Sequence, residues 1–256
     1  MKIVVAIKPA AGRDEPLRIA SSGKWIEEAD LALEIAEADA YALEAGLQLK
    51  EKHGGEVIAL CAGPPRAAQV IREALAKGAD RAIHIEAEKL GFDPLATARL
   101  LAAVIAAETP DLVLAGLQSD DLGHGQTGVI LAELLGLPHA TIVMEVEVGN
   151  GSLRVKREME NGWFQNVEMP LPALIAVQSG IGKLRYATLM GIRKAKTKEV
   201  RRISAADLGG VAAASGAVVD RVYLPERTRR AQLFGGSPQE AAAMLVDKLK
   251  FEARAL

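Results

Sequence analysis

A single cysteine, Cys61, stands in a chain of 256 residues. That excludes a disulfide framework and any site built on several thiolates, zinc or iron–sulfur, and it fits a reducing compartment. Aromatic residues make up only 4% of the chain, so the core has to be aliphatic. Charge of one sign is lacking too, since 31 Lys and Arg against 33 Asp and Glu leave a formal net charge of −2. The chain as a whole is therefore not drawn to nucleic acid or anionic lipid. No apolar run approaches the ~20 residues of a membrane span. The opening Met1-Lys2-Ile3-Val4-Val5-Ala6-Ile7 reads as a strand, too short for a signal h-region and without an Arg/Ser-rich leader, so a cytoplasmic protein is expected. The Walker A spacing and the nucleophile elbow are both missing. His53, His84, His124 and His139 show no ligand spacing and read as surface or satisfied core residues. Cys61 reads as a small hydrophobe at a strand end.

Apolar runs of strand length alternate with segments of helical period. Residues 3–7, 57–61, 82–85 and 112–116 are short and aliphatic with little in–out alternation, as expected of strands buried on both faces in a parallel sheet. Between them lie an Ala/Leu/Glu stretch at 31–52, a segment at 65–77 opened by Pro64-Pro65 and closed by Gly78, and one at 94–107 with Asp93 as N-cap and Pro94 at N1. The pattern predicts a doubly wound, mostly parallel α/β sheet. After residue 140, segments 141–148, 153–158 and 163–169 flank Gly149-Asn150-Gly151 and Asn161-Gly162, which predicts an antiparallel meander. The run 173–177 then re-enters the main sheet. From about 193 the chain reads as basic and irregular: Arg193, Lys194, Lys196, Lys198, Arg201 and Arg202, an Ala/Gly/Val stretch around Val211, then Arg227, Arg229 and Arg230. Only Ser237-Pro238-Gln239-Glu240 marks order there, as a capping box for a helix at 238–253. The expected division is a nucleotide-binding α/β domain over 1–192 and, over 193–256, a C-terminal arm and helix that embrace a partner subunit, because the arm has too little periodicity to bury its apolar residues in a domain of its own.

Open α/β sheets bind ligands beyond the carboxyl ends of strands, where the winding reverses. With the first strand central, that point lies between 3–7 and 112–116. The loop after the latter, Gly116-Leu117-Gln118-Ser119-Asp120-Asp121-Leu122-Gly123-His124-Gly125-Gln126-Thr127-Gly128, is small, polar and glycine-rich, and an apolar helix at 129–135 follows. Glycines let a phosphate approach backbone N–H groups, and a helix N-terminus adds partial positive charge. Gly123, Gly125 and Gly128 also spell G-x-G-x-x-G, but six residues separate the motif from the strand end, so an independent NAD-dependent oxidoreductase is the lesser alternative. Asp120 and Asp121 suit ribose or backbone hydrogen bonding better than acid/base work in such a loop. The chain offers binding groups and no obvious catalyst, which favours a carrier of a cofactor.

Several stretches carry a family likeness: Val4-Val5-Ala6-Ile7-Lys8, Ala74 through Arg81, Gly116-Leu117-Gln118 through Gln126-Thr127-Gly128, Val155-Lys156-Arg157-Glu158, Leu171-Pro172-Ala173, and Arg185-Tyr186-Ala187-Thr188-Leu189 with Arg193-Lys194-Ala195-Lys196. In their order and spacing the chain resembles the β (small) subunit of the electron transfer flavoproteins along essentially its whole length. The resemblance implies a Rossmann-like adenine-nucleotide-binding fold. It also implies a heterodimer with an α subunit that carries the redox-active FAD, and an adenine nucleotide in the β subunit: AMP, or a second FAD in electron-bifurcating members. By it the nucleotide site would comprise Ala6, Asp39, Ala62 and the loop from Gly116 to Thr127, with Gln118, Ser119, Asp120, Asp121, Gly123, Gly125 and Gln126. It further implies that dehydrogenases such as acyl-CoA dehydrogenases dock around Leu189, beside Tyr186, Lys194 and Lys196, and that a quinone oxidoreductase accepts the electrons. Glu158, with Arg157, would contribute hinge contacts restraining the flavin domain of the α subunit. Taken alone, the basic run at 193–202 is a solvated face and Arg157 and Glu158 a surface pair. The chain departs from the family pattern at Ala36-Glu37-Ala38-Asp39 and at Pro9-Ala10-Ala11-Gly12-Arg13.

Overall fold

The structure is a computed structural model describing residues 1–88, 90, 92–149, 151–208, 216–225 and 231–256. Asn150 of the expected turn, and Val211, Arg227, Arg229 and Arg230 of the expected arm, lie outside the described residues. The strands are β1 (Lys2–Ile7), β2 (Pro9–Ala11), β3 (Leu33–Ile35), β4 (Glu56–Gly63), β5 (Arg81–Glu86), β6 (Leu112–Gly116), β7 (His139–Gly149), β8 (Ser152–Glu158), β9 (Phe164–Pro170), β10 (Ala173–Val177) and β11 (Val200–Ser204). The helices are α1 (Glu37–His53), α2 (Ala68–Lys77), α3 (Pro94–Glu108), α4 (Thr127–Leu135), α5 (Leu189–Ala195) and α6 (Pro238–Asp247).

Nine strands form one sheet in the order β11-β5-β4-β1-β6-β10-β7-β8-β9. β1 is parallel to both β4 and β6, so the winding reverses between β1 and β6. Successive residues of β1 feed opposite layers, which is why its sequence shows no polar alternation. Ile3, Val5 and Ile7 join Leu43, Leu47, Ile71 and Leu75 of α1 and α2 on one face. Val4 and Ala6 join Leu101, Val104, Ile105 and Leu131 of α3 and α4 on the other. Asp93 accepts from Leu95 N at the head of α3, with Pro94 at N1, as the sequence predicts.

β7, β8 and β9 are antiparallel and extend the sheet as a meander. Asn161 and Gly162 both take positive φ, 57° and 76°, at the tip of the β8–β9 hairpin, the conformation for which Asn-Gly is selected.

Two segments differ from expectation. Residues 31–35 are not helical. Leu33 and Ile35 are buried as β3 pairs antiparallel with β2, and this pairing overrides the helical propensity of the stretch, so α1 starts only at Glu37. The first part of the segment expected to be irregular, residues 193–208, is ordered. Thr188 caps α5 by accepting from Gly191 N, and β11 pairs parallel with β5 along the sheet edge. Lys198 Nζ donates to the carbonyls of Leu75 (3.0 Å) and Ala79 (2.5 Å) at the end of α2, where cations are favoured. With exposed side chains at Arg201, Arg202 and Ser204, β11 leaves no apolar run to read.

By contacts the chain divides into Met1–Arg221 and Val222–Leu256. In the second unit Ser237 and Glu240 make the expected capping box of α6, which passes into a π-helical turn at Lys248–Glu252. Leu245, Val246 and Phe251 of this unit are exposed. No helix among the described residues is long and apolar enough to cross a membrane.

Candidate functional site

The carboxyl ends of β1, β4 and β6 bring Ala6, Ala62 and Gly116 to one edge of the sheet. Asp39, in the first turn of α1, stitches this edge together: its Oδ2 accepts from Lys8 N and its Oδ1 from Gly116 N, both at 2.8 Å. One carboxylate thus holds the two strands between which the winding reverses. Burial pushes the Asp39 carboxyl up to about 7, against the pull of the two amides and of the Lys8 charge. Gly116 is required beside it, because a Cβ there would lie 2.6 Å from Asp39 N and from Ala38 C.

The loop after Gly116 is shaped by its own carboxylates. Asp120 Oδ2 accepts from Glu37 N at 2.7 Å and so caps α1, whose N-cap Ala36 has no side chain able to do so. Asp121 Oδ1 accepts from Leu122 N at 2.6 Å and pairs with Lys8 Nζ. Partial burial raises the Asp121 pKa, but the Lys8 ammonium outweighs it and the net shift is downward. Lys8 Nζ also donates to Ser119 Oγ at 3.1 Å. Lys8 belongs to the site, although motif spacing does not single it out; the signal is a cation placed directly after the first strand.

Gly123 and Gly125 take φ of 62° and 63°, conformations in which a β-branched residue is strained. α4 begins at Thr127 without a side-chain cap from Gln126. Among the described residues nothing accepts from the amides of His124, Gly125, Gln126, Thr127, Gly128 or Val129. Gly128 lies against the Cβ atoms of Ala115 and Ala176, which brings the head of α4 close onto the sheet. The result is a row of free N–H groups with a helix dipole behind them, groups of the right chemistry for a phosphate. Gln118 and Gln126 are exposed along the loop.

The expected docking residues form two separate groups. Tyr186 and Leu189 are 91% and 81% exposed before and at the head of α5, with Lys194 and Lys196 exposed beyond. α5 lies on α2, where Gly191 passes too close to the Ala76 carbonyl for any side chain. Arg157 and Glu158 sit instead in β8, next to the far edge of the sheet. They are not a pair with each other: Arg157 bonds Thr141 and Gln165, and consecutive strand residues face opposite ways. The Pro9–Ala11 segment forms β2, and Arg13 pairs with Glu37 at 2.6 Å on the surface. No cluster of His, Cys, Asp or Glu able to hold a metal occurs among the described residues.

Comparison with known proteins gives this geometry its context. The electron transfer flavoprotein domain matches residues 24–208. The electron transfer flavoprotein subunit beta of Methylophilus methylotrophus is 36% identical over 255 residues, covering 96% of this chain and 97% of that protein. The one of Bradyrhizobium diazoefficiens is 35% identical over the whole of both chains, and the human one 39% identical over 82% of this chain and 81% of its own. A doubly wound sheet with a glycine-rich loop at its reversal point, and similarity to these proteins along most or all of their length, lead to one conclusion: the chain belongs to the electron transfer flavoprotein family, among its β subunits.

Proposed function

We propose that this chain is the β subunit of a heterodimeric electron transfer flavoprotein, that it binds AMP, and that it docks dehydrogenases without catalytic residues of its own. The row of unpartnered amides from His124 to Val129 carries the nucleotide part of the reading. In it the phosphate lies against the loop from Gly123 to Thr127, held by the free amides from His124 on, and Asp39 keeps the β1 and β6 ends in register so that the cradle is preformed. Ala6 and Ala62, small residues at the strand ends, leave room for the adenosine.

The FAD of the α subunit supplies the redox chemistry when bound. This chain's share is recognition and placement. Leu189 and Tyr186 offer an apolar knob, and Arg193, Lys194 and Lys196 surround it with positive charge that speeds encounter with an acidic partner. Arg157 and Glu158 lie on the meander that faces the α subunit in this reading. The second unit, with Leu245, Val246 and Phe251 exposed on and after α6, wraps that subunit and covers its apolar side chains there. Acyl-CoA dehydrogenases and a quinone oxidoreductase are the donor and acceptor, and a cytoplasmic location suits a chain with a single cysteine and so no disulfide of its own.

Acid extraction of the purified chain, with mass identification of what is released, tests the central point. AMP at one per chain is expected; FAD would mark a second flavin site instead, and no nucleotide would overturn the reading. In Gly125→Val the strained φ should lower nucleotide content while the far-ultraviolet circular dichroism persists.

A further inference from the structure

β7 is the strand on which the parallel sheet becomes an antiparallel meander, and the change is made between Thr141 and Glu145. On the β10 side Ile175 pairs with Ala140 and Val177 with Val143, so Thr141 and Ile142 together stand opposite Ala176 alone. On the β8 side Val143 pairs with Arg157 and Glu145 with Lys156, which leaves Met144 as a further extra residue. Bulges of this kind bend the strand that carries them and increase its twist. Ile142 sits in the bend with φ of 57°, a conformation that glycine adopts freely and a β-branched residue resists. It persists only where the surroundings over-determine it.

Arg157 provides that constraint. Its Nε donates to the Thr141 carbonyl at 2.8 Å and its Nη2 to Thr141 Oγ1 at 3.1 Å. Its Nη1 donates to Gln165 Oε1 on β9 at 3.1 Å. One planar guanidinium on β8 thus grips the residue before Ile142 at two points and ties in the third strand of the meander. On the other side of Ile142, the Val143 carbonyl accepts from Gln178 N at 3.0 Å, just past the end of β10. These three partners of Arg157 are all uncharged, so its use here is geometric: a fork with several fixed donors, which a lysine lacks. Past the bend, the β8–β9 hairpin ends in Met159, Trp163 and Phe164, all exposed.

The geometry points to Arg157 as a positioning residue that holds Ile142 left-handed and so sets the angle at which the β7–β9 meander leaves the parallel sheet. Through that angle it governs how the hairpin tip meets the flavin-carrying α subunit. This second step rests on the heterodimer proposed above; the clamp itself concerns this chain alone.

The test uses the full chain as wild type, Arg157→Gln, Arg157→Lys, Ile142→Gly and the Arg157→Gln/Ile142→Gly double variant. Amide exchange is read in the isolated chain, and the dissociation constant is measured with the α subunit. Arg157→Gln should speed exchange of Gln178, whose amide donates to the Val143 carbonyl, at least tenfold, leave β1, β4 and β6 unchanged, and weaken α binding at least tenfold. Arg157→Lys should behave like Gln. Glycine at 142 takes the bend without a clamp, so the double variant should recover binding to within about threefold of wild type, and Ile142→Gly alone should bind normally. Unchanged exchange in Arg157→Gln overturns the clamp. A double variant that binds as poorly as Arg157→Gln overturns the positioning role, because Arg157 then touches the partner or merely supports the core. Should the wild-type chain not bind an α subunit at all, the functional reading fails, and the exchange comparison alone upholds or overturns the clamp.

Discussion

Glu44 and Arg185, 141 positions apart, are joined by three hydrogen bonds: Arg185 donates to the Glu44 carboxylate from Nε at 2.8 Å, from Nη2 at 3.0 Å and from its backbone N at 3.3 Å. Glu44 is only 4% exposed, on the buried side of α1. Glu51, about two turns further along α1, takes the outer edge of the same guanidinium. Arg185 is thereby fixed directly before the exposed Tyr186 and Leu189, so a buried ion pair sets where the proposed docking knob stands.

Removing Arg185 leaves the buried Glu44 carboxylate without its cation, whereas Arg185 would keep Glu51 if Glu44 were removed; an uncompensated buried charge costs about 3 kcal/mol. Arg185→Ala should therefore lower the melting temperature markedly. Burial raises the Glu44 pKa, but the bonds from Arg185 and Gln48 outweigh it and the net shift is downward. Stability from Glu44 is thus fully present above its unfolded value of about 4.3 and is lost as pH falls through the lower folded value. Urea unfolding from pH 6 down to 3 should show an acid loss in wild type that is smaller in Glu44→Gln.

Asp39 should act in the opposite sense. Its folded pKa is raised, to about 7, so its contribution is fully present below its unfolded value of about 3.9 and lost as pH rises through 7. In nucleotide-free protein, the stability advantage of wild type over Asp39→Asn should be larger at pH 5 than at pH 8. An advantage that grows with pH would mean that the two amides and Lys8 hold the carboxylate ionised.

Gly116→Ala should cost about 2 kcal/mol, in the range of other overpacked sites, because the new Cβ meets Ala38 and Asp39 backbone. Gly125→Ala meets no atom closer than the Leu117 carbonyl at 3.7 Å and pays only for its φ of 63°. Chemical denaturation of both variants distinguishes the crowded strand end from the merely left-handed loop.

Leu189→Ala should hardly move the melting temperature, since the side chain is 81% exposed. If the residue fills a dehydrogenase pocket, about 2 kcal/mol is lost, roughly thirtyfold in affinity, and the Michaelis constant of the dehydrogenase for this flavoprotein should rise severalfold or more. A large drop in melting temperature with unchanged electron transfer would make it a core residue.

A chain ending at Arg221 retains the first unit with its whole nine-stranded sheet. Size-exclusion chromatography with the α subunit should show that it keeps its fold and loses the partner. A stoichiometric complex would count against the wrapping role of residues 222–256.

Local and periodic features were legible from the residues alone. β1, β4, β5, β6 and β10 announce themselves as aliphatic runs because both faces of a parallel sheet are covered, and Asp93-Pro94 and Ser237-Pro238-Gln239-Glu240 act within one helical turn. The glycine-rich loop could be placed at the reversal point only by taking the first strand as central, which the pairing of β1 with both β4 and β6 bears out. Only the tertiary structure decided what depends on pairing between distant polar groups. Asp39 reaches Gly116 77 positions away, and Lys8 reaches Ser119 across 111. β3 exists because β2 pairs with it, and β11 because β5 offers a free edge; neither has an apolar run of its own. Hydrophobic burial repeats with the period of a helix or strand and so writes itself into the sequence, whereas a single hydrogen bond between remote residues leaves no period to find.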